Sequence, residues 1–115
     1  MASPSSAALR IESFFDTVRV FHDGTLRVQL HGIGARIVSE LLEIGQPVAW
    51  EAVAAEIWPD VHTQRTVIRN RWDTALRRLR TRLAEGGVRS DFVCSDGMGQ
   101  IAAVLYPDDI VVGQV

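Results

Sequence analysis

The spacing of the apolar residues changes along this chain, and the change restricts the folds that the chain can adopt. Between Leu9 and Leu30 apolar and polar residues alternate, which is typical of strands with one buried face. The segment HDGT (22–25) interrupts the alternation with residues that favour a tight hairpin turn. From Ile33 onward the apolar residues recur every three or four positions, as they do on one face of a helix. The sequence therefore predicts a small antiparallel sheet followed by helices.

Three helices are predicted from this spacing. The first covers residues 33–44 and ends at Gly45. The second covers residues 50–58 and is stopped by Pro59, because the residue before a proline is pushed out of helical geometry. The third begins between residues 64 and 70, runs to about residue 84 and ends at the glycine pair 86–87. The predicted buried seam of the third helix consists of Ile68, Trp72, Leu76, Leu79 and Leu83.

The C-terminal part of the sequence predicts a β-hairpin. Two β-prone runs, residues 92–94 and 101–105, lie on either side of DGMG (96–99), whose glycines favour a turn. We therefore expect an α+β domain over residues 9–106, with an N-terminal antiparallel sheet, three helices and a C-terminal hairpin. Residues 1–8 are interpreted as a disordered lead-in, and residues 107–115 as either a final edge strand or a loose tail.

Positive charge is distributed unevenly along the chain. The formal charge of −2 and the pI near 5.9 argue by themselves against binding to a polyanion. Residues 61–89, however, hold eight of the twelve arginines against two acidic residues, a formal charge of +6, and the remainder carries −8. A GC-rich genome would explain why the chain has no lysine, but it does not explain this clustering. A basic stripe is the electrostatic feature expected of a DNA-facing surface.

The third helix combines arginines with short polar side chains on the side opposite its apolar seam. Successive residues are about 100° apart around a helix, which allows the two sides to be assigned. The middle of the outward side is predicted to hold Thr66, Asn70, Thr74, Arg77 and Thr81. The two flanks are predicted to hold Arg71, Arg78 and Arg82 on one edge and Arg69, Asp73 and Arg80 on the other.

This arrangement suits a helix that lies in a DNA groove. Guanidinium groups at the edges can bind phosphates, while Arg, Asn and Thr side chains in the middle can bind base edges. For any single arginine, a solvated surface position is the simpler interpretation. A merely solvated helix usually places glutamates where they form i,i+4 pairs with its arginines, and this helix has few acidic residues.

Three short motifs occur in the order and spacing of one known family. The most specific is DTALRRLRTRL (73–83), in which an aspartate precedes alternating leucine and arginine; the others are AEIWPD (55–60) and GMG (97–99). Together with the predicted element order, they make residues 9–105 similar to the OmpR/PhoB-type winged-helix domain of bacterial response regulators. The resemblance implies a winged helix-turn-helix fold with residues 66–84 as the recognition helix in the major groove.

The resemblance also implies a function, namely sequence-specific binding of double-stranded DNA in bacterial transcription regulation. The positions from which the family touches bases or backbone correspond to Asn70, Arg71, Thr74, Arg77, Arg78 and Arg80, and the helical face adds Arg69 and Thr81. Trp58 would lie where a helix terminus meets phosphate, and Asp96, Gly97 and Gly99 would form the wing. A second copy of the chain, RNA polymerase or a regulatory protein are further partners that this family makes plausible.

The sequence departs from the family pattern at the wing and before the sheet. The family often has an arginine before its Gly-x-Gly, where this chain has Asp96, and an aromatic residue after it, where this chain has Gln100. No receiver domain precedes the sheet, so we expect either a fragment of a longer regulator or a free-standing domain. The alternative function is a winged-helix protein-interaction module for dimerisation or partner recruitment, which the acidic remainder and Asp96 favour.

The residue types of catalytic and metal sites are not grouped in this sequence. The three histidines lack the spacing of metal ligands, no P-loop is present, and Cys94 is expected to be a small core or strand residue. We therefore expect a protein that is not an enzyme and needs no metal or cofactor. No apolar stretch approaches the roughly 20 residues of a membrane span, and the first residues do not resemble a secretory signal, so a cytoplasmic location is expected.

Overall fold

The computed structural model describes residues 8–59 and 64–113. Most of the predicted lead-in and the predicted turn at 60–62 lie outside these ranges. The described residues form an α+β structure with three helices and two mostly antiparallel sheets, as the spacing of apolar residues predicts. The helices are α1 (Gly32–Ile44), α2 (Trp50–Ile57) and α3 (Arg65–Glu85). The strands are β1 (Arg10–Phe14), β2 (Thr17–His22), β3 (Thr25–His31), β4 (Val48–Ala49), β5 (Val93–Ser95), β6 (Gln100–Ala103) and β7 (Ile110–Gly113).

The first sheet has the strand order β3-β2-β1-β7. Strands β1, β2 and β3 are antiparallel neighbours, and Asp23 and Gly24 between β2 and β3 both have positive φ, the geometry of a two-residue hairpin turn. Strand β7 pairs with β1 in the parallel direction, from Arg10 opposite Ile110 to Ser13 opposite Gly113. Residues 110–113 therefore form an edge strand of the first sheet, whose other three strands come from the N-terminal part of the chain.

The second sheet is smaller and has the order β4-β6-β5. Strands β5 and β6 are antiparallel and are joined by residues 96–99, and the two-residue strand β4 adds to β6 just before α2 begins. This sheet is tied to α2 because the Trp50 amide donates a hydrogen bond to the Gly99 carbonyl, at 3.0 Å. The turn between β5 and β6 is thereby held next to the start of α2.

The core lies between the first sheet and the three helices. Helix α1 packs against β1, β2 and β3 on one side and against α2, α3 and β6 on the others. The apolar seam of α3 is buried at Trp72, Leu76, Leu79 and Leu83, and Ile68 is half-buried against the same core. Because the seam anchors one side of α3 in the core, the opposite side of the helix faces outward.

None of the helices in the described ranges combines the length and apolar character that crossing a bilayer requires.

Candidate nucleic-acid interface

Helix α3 presents a polar surface on the side opposite its buried seam. Of the predicted contact residues on this side, Asn70, Arg71, Arg77, Arg78 and Thr81 are exposed, and Thr74 is half-buried. Since four of the five predicted seam residues are buried and Ile68 is half-buried against the same core, the helical phase deduced from the sequence agrees with the packing. These six side chains lie on one continuous face of a single rigid element.

Three arginines on this face have no polar partner among the described residues. Arg71, Arg77 and Arg78 make no ion pair or hydrogen bond with any other residue in the two described ranges. A guanidinium group carries five N–H donors and stays charged at any physiological pH, so these groups are available for external acceptors. Their geometry and charge suit phosphate oxygens or the O6 and N7 atoms of guanine.

Two other predicted contact residues, Arg69 and Arg80, have partners within the chain. The Arg69 guanidinium lies 4.8 Å from the Trp50 ring centroid, and its Nε is 3.2 Å from Asp73 Oδ1. The other guanidinium, on Arg80, donates to the Oγ of Ser95 at 2.8 Å. Sequence spacing correctly placed both on one flank of the helix, but it gave no signal that Arg69 would pack on α2 and Arg80 on β5.

A groove of about 890 Å³ runs beside α3. One wall is the helix, and the other is formed by the end of β3, the start of α1 and the end of α2. Its lining residues include Gln29, Leu30, His31, Ile33, Gly34, Trp58, Val67, Asn70, Arg71, Thr74, Ala75, Arg78, Leu79 and Arg82. Residues 29–31, 33 and 34 of this site were not predicted from the sequence, because their proximity to α3 depends on the packing of β3 and α1 against the helix.

Trp58 follows the last residue of α2 and faces this groove. Its amide donates to the Ala54 carbonyl at 2.9 Å, which closes the helix, and its side chain is half-buried against the core. Nearby, the Arg36 guanidinium donates to the Glu56 carbonyl at 3.1 Å and so binds a carbonyl in the last turn of α2. Trp58 is therefore a packing residue whose accessible surface lines this groove and also a shallower depression beside α2.

The turn between β5 and β6 is organised by Asp96. Its Oδ1 atom accepts hydrogen bonds from the amides of Met98, at 2.7 Å, and Gln100, at 3.0 Å. These bonds lower the pKa of the Asp96 carboxyl. The left-handed φ values of Gly97 (77°) and Gly99 (94°) complete the turn. Asp96 thus has a structural role that its charge alone did not suggest, although the pairing of an aspartate with following glycines is a recognisable signal for such turns.

Comparison with known proteins assigns no family to this chain. The sequence matches no family model, and the searches of curated proteins and of solved structures found no match. Within residues 8–59 and 64–113, no three His, Cys, Asp or Glu side chains are arranged to hold a metal ion. The outward face of α3 and the adjacent groove are therefore the candidate site, and hydrogen bonding and charge are the chemistry that they offer.

Proposed function

We propose that this chain is a winged-helix domain that binds double-stranded DNA sequence-specifically and acts in transcription regulation of the bacterial type. The observation that carries the proposal is the outward face of α3, where Arg71, Arg77 and Arg78 have no partner among the described residues and lie beside Asn70 and Thr74. These three cations lie together on one helix without an acidic partner among the described residues, whereas Arg69 of the same helix is paired with Asp73.

The dimensions of α3 fit a major groove. The helix has 21 residues and is about 31 Å long, and the groove is about 12 Å wide, so the helix can enter with its outward face. Asn70, Thr74 and Arg77 lie on successive turns, and the rise from the first to the last is about 10 Å, or roughly three base pairs. Asn70 can bind adenine and Arg77 guanine, while Arg71 and Arg78 reach phosphates along one edge.

The β5–β6 hairpin takes the position of the wing in this proposal. It is attached to α3 by the Arg80–Ser95 hydrogen bond and carries Met98, 87% exposed, at its tip. Asp96 makes the tip acidic, so we assign no phosphate contact to it and ascribe binding mainly to α3.

A second candidate function is an interaction module that pairs with another protein. The observation favouring it is the edge strand β7, whose residues Ile110, Val111 and Val112 are 54%, 42% and 37% exposed. An edge strand with apolar side chains and no charged residue is suited to pairing with a strand of another chain.

Fluorescence anisotropy with a random-sequence duplex, measured from low to physiological salt, tests the proposal. We expect the logarithm of the binding constant to fall linearly with the logarithm of the salt concentration. Replacing Arg77 and Arg78 together by alanine should weaken binding about 100-fold and make the salt dependence shallower, since one to three kcal/mol is typical for each such contact.

Arg10→Ala is the matched control, because Arg10 is an exposed arginine on β1 whose ion pair with Glu12 contributes little to stability. It should bind DNA like the unaltered chain. Absence of binding even at low salt would exclude the DNA proposal and leave the interaction module. Unchanged binding by the folded double variant would show that α3 is not the contact surface.

A further inference from the structure

The groove beside α3 contains apolar surface that contact with DNA does not use. Its floor includes Ile33 and Val67, which are 42% and 41% exposed, together with one side of Trp58. The phosphate and sugar backbone offers mainly polar and charged atoms, and bases offer little apolar surface apart from the thymine methyl group. Exposed apolar side chains grouped in a concavity are a common feature of ligand-binding sites.

The charged residues that line the groove within residues 8–59 and 64–113 are all cationic. Arg71, Arg78 and Arg82 lie along its α3 wall, and no described aspartate or glutamate is among the lining residues. The Arg82 guanidinium donates to the Gln29 carbonyl at 3.0 Å, which holds it at the rim, while Arg71 and Arg78 have no such bond to another described residue. The groove therefore joins an apolar floor to a one-sided row of positive charge.

We infer that this groove binds a small organic anion, a carboxylate with an apolar body, and that the bound anion competes with duplex DNA. The apolar body lies on Ile33, Val67 and Trp58, and the carboxylate accepts hydrogen bonds from Arg71 and Arg78. A volume of about 890 Å³ is within the range of roughly 300 to 1,000 Å³ that small-molecule sites occupy. Binding of the anion is independent of the proposed function; only the competition rests on it.

Competition follows from shared residues. Asn70, Arg71, Thr74 and Arg78 line the groove and also form part of the proposed DNA-binding face. An anion held by Arg71 and Arg78 neutralises the charge that phosphates would otherwise meet, and its body occupies the space beside the helix. The structure thus provides a means by which a metabolite of this class would release the chain from DNA.

The test compares decanoate with 1-decanol, its uncharged counterpart, by isothermal titration calorimetry at neutral pH and low salt. We expect decanoate to bind at one site per chain and at least tenfold more tightly than 1-decanol. In the variant Arg71→Gln/Arg78→Gln that advantage should disappear. Arg77→Gln is the matched control, since Arg77 lies on the same helix but lines a different depression, and it should keep the advantage. Circular dichroism checks that each variant is folded.

Tryptophan fluorescence locates the bound anion. Trp50 and Trp72 are buried, with ring centroids 5.9 Å apart, whereas Trp58 lines the groove. Decanoate should change the emission of the unaltered chain, and Trp58→Phe should lose that change. Equal affinities for decanoate and 1-decanol, an undiminished advantage in the Arg71/Arg78 variant, or an unaltered response in Trp58→Phe would each overturn the inferred site, as would saturable binding of an acidic peptide with none of decanoate.

The competition is measured separately by adding decanoate to the chain bound to a fluorescent duplex. At a decanoate concentration ten times its own dissociation constant, the apparent dissociation constant for DNA should rise about tenfold, and 1-decanol at the same concentration should raise it by no more than about twofold. Simultaneous binding of both ligands would overturn the competition. If the chain binds no DNA, the calorimetric titration still decides the anion site, so failure of the proposed function and failure of this site are distinguishable.

Discussion

The buried carboxylate of Asp109 accepts hydrogen bonds on both of its oxygens. Its side chain is fully buried, and it accepts hydrogen bonds from the amides of Leu9 and Tyr106 and from the Arg89 guanidinium. That guanidinium lies 3.9 Å from the Tyr106 ring centroid. Burial alone would raise the pKa of Asp109, but the hydrogen bonds from Arg89, Tyr106 and Leu9 outweigh it and lower the pKa below its ordinary value.

Replacing Asp109 by alanine is therefore expected to destabilise the fold by about 2 to 4 kcal/mol, because it removes the acceptor of the Leu9 and Tyr106 amides and one of the acidic partners of Arg89, which keeps its ion pair with Asp91. The measurement is urea denaturation followed by circular dichroism. Asp108→Ala is the control, since Asp108 is exposed, and it should change the free energy of unfolding by less than about 0.5 kcal/mol.

The same residue predicts a pH dependence. Because the pKa of Asp109 is lower in the folded state, its contribution is fully present above the unfolded value, near about 3.9, and is lost as the pH falls through the folded value. The stability difference between the unaltered chain and Asp109→Ala should thus be constant at neutral pH and shrink below about pH 4. A difference that stayed constant down to pH 3 would contradict the assignment.

At the scale of single elements, helix α3 shows what spacing can and cannot predict. Its phase and its buried seam follow from the sequence, since a helix places residues three and four apart on the same side. The contacts that α3 makes with other elements do not follow from the sequence, because Trp50 beside Arg69 belongs to α2 and Ser95 beside Arg80 belongs to β5. The same limit applies to the groove, to which residues 29–31, 33 and 34 contribute part of one wall, and to Asp96, whose charge was more conspicuous in the sequence than its hydrogen bonds to the turn.

Replacing glycine by alanine is expected to change the stability of the fold in opposite directions at two helix positions. A Cβ atom added at Gly86, where α3 ends, would lie 2.7 Å from the Arg27 carbonyl oxygen on β3, whereas one added at Gly34 in α1 would meet only Leu79, at 3.7 Å. Gly86→Ala should therefore destabilise the fold by about 1 to 3 kcal/mol through overpacking. Gly34→Ala should stabilise it by about 0.5 to 1 kcal/mol, because alanine favours a helix. Thermal unfolding of the two variants decides; a shift of the same sign in both would refute the account.

At the scale of the whole molecule, the least predictable feature is the pairing of β7 with β1. Alternation and turn residues identify pairs of strands that are neighbours in sequence. Strands β1 and β7 are about a hundred residues apart, and the residue pattern within each strand does not identify its pairing partner. The segment before β7 is held in place by the Arg89–Asp109 ion pair, which joins residues 20 positions apart, and by the hydrogen bond from the Leu9 amide to Asp109, which spans 100 positions. The two alternatives for residues 107–115 could not be separated from sequence for this reason.

The parallel arrangement of β1 and β7 has a mechanical consequence. Both strands begin at the same end of the sheet and run in the same direction. A force that pulls residues 9 and 113 apart therefore acts along the two strands in opposite directions. It loads the hydrogen bonds between β1 and β7 together, in shear, whereas a pull across a hairpin opens its bonds one at a time. Single-molecule stretching through these two points should thus require a higher unfolding force than stretching through residues 10 and 110, which lie at the same end of the strand pair, so that this second pull peels β7 from β1 one bond at a time. Equal forces would show that this strand pair is not where the molecule resists tension.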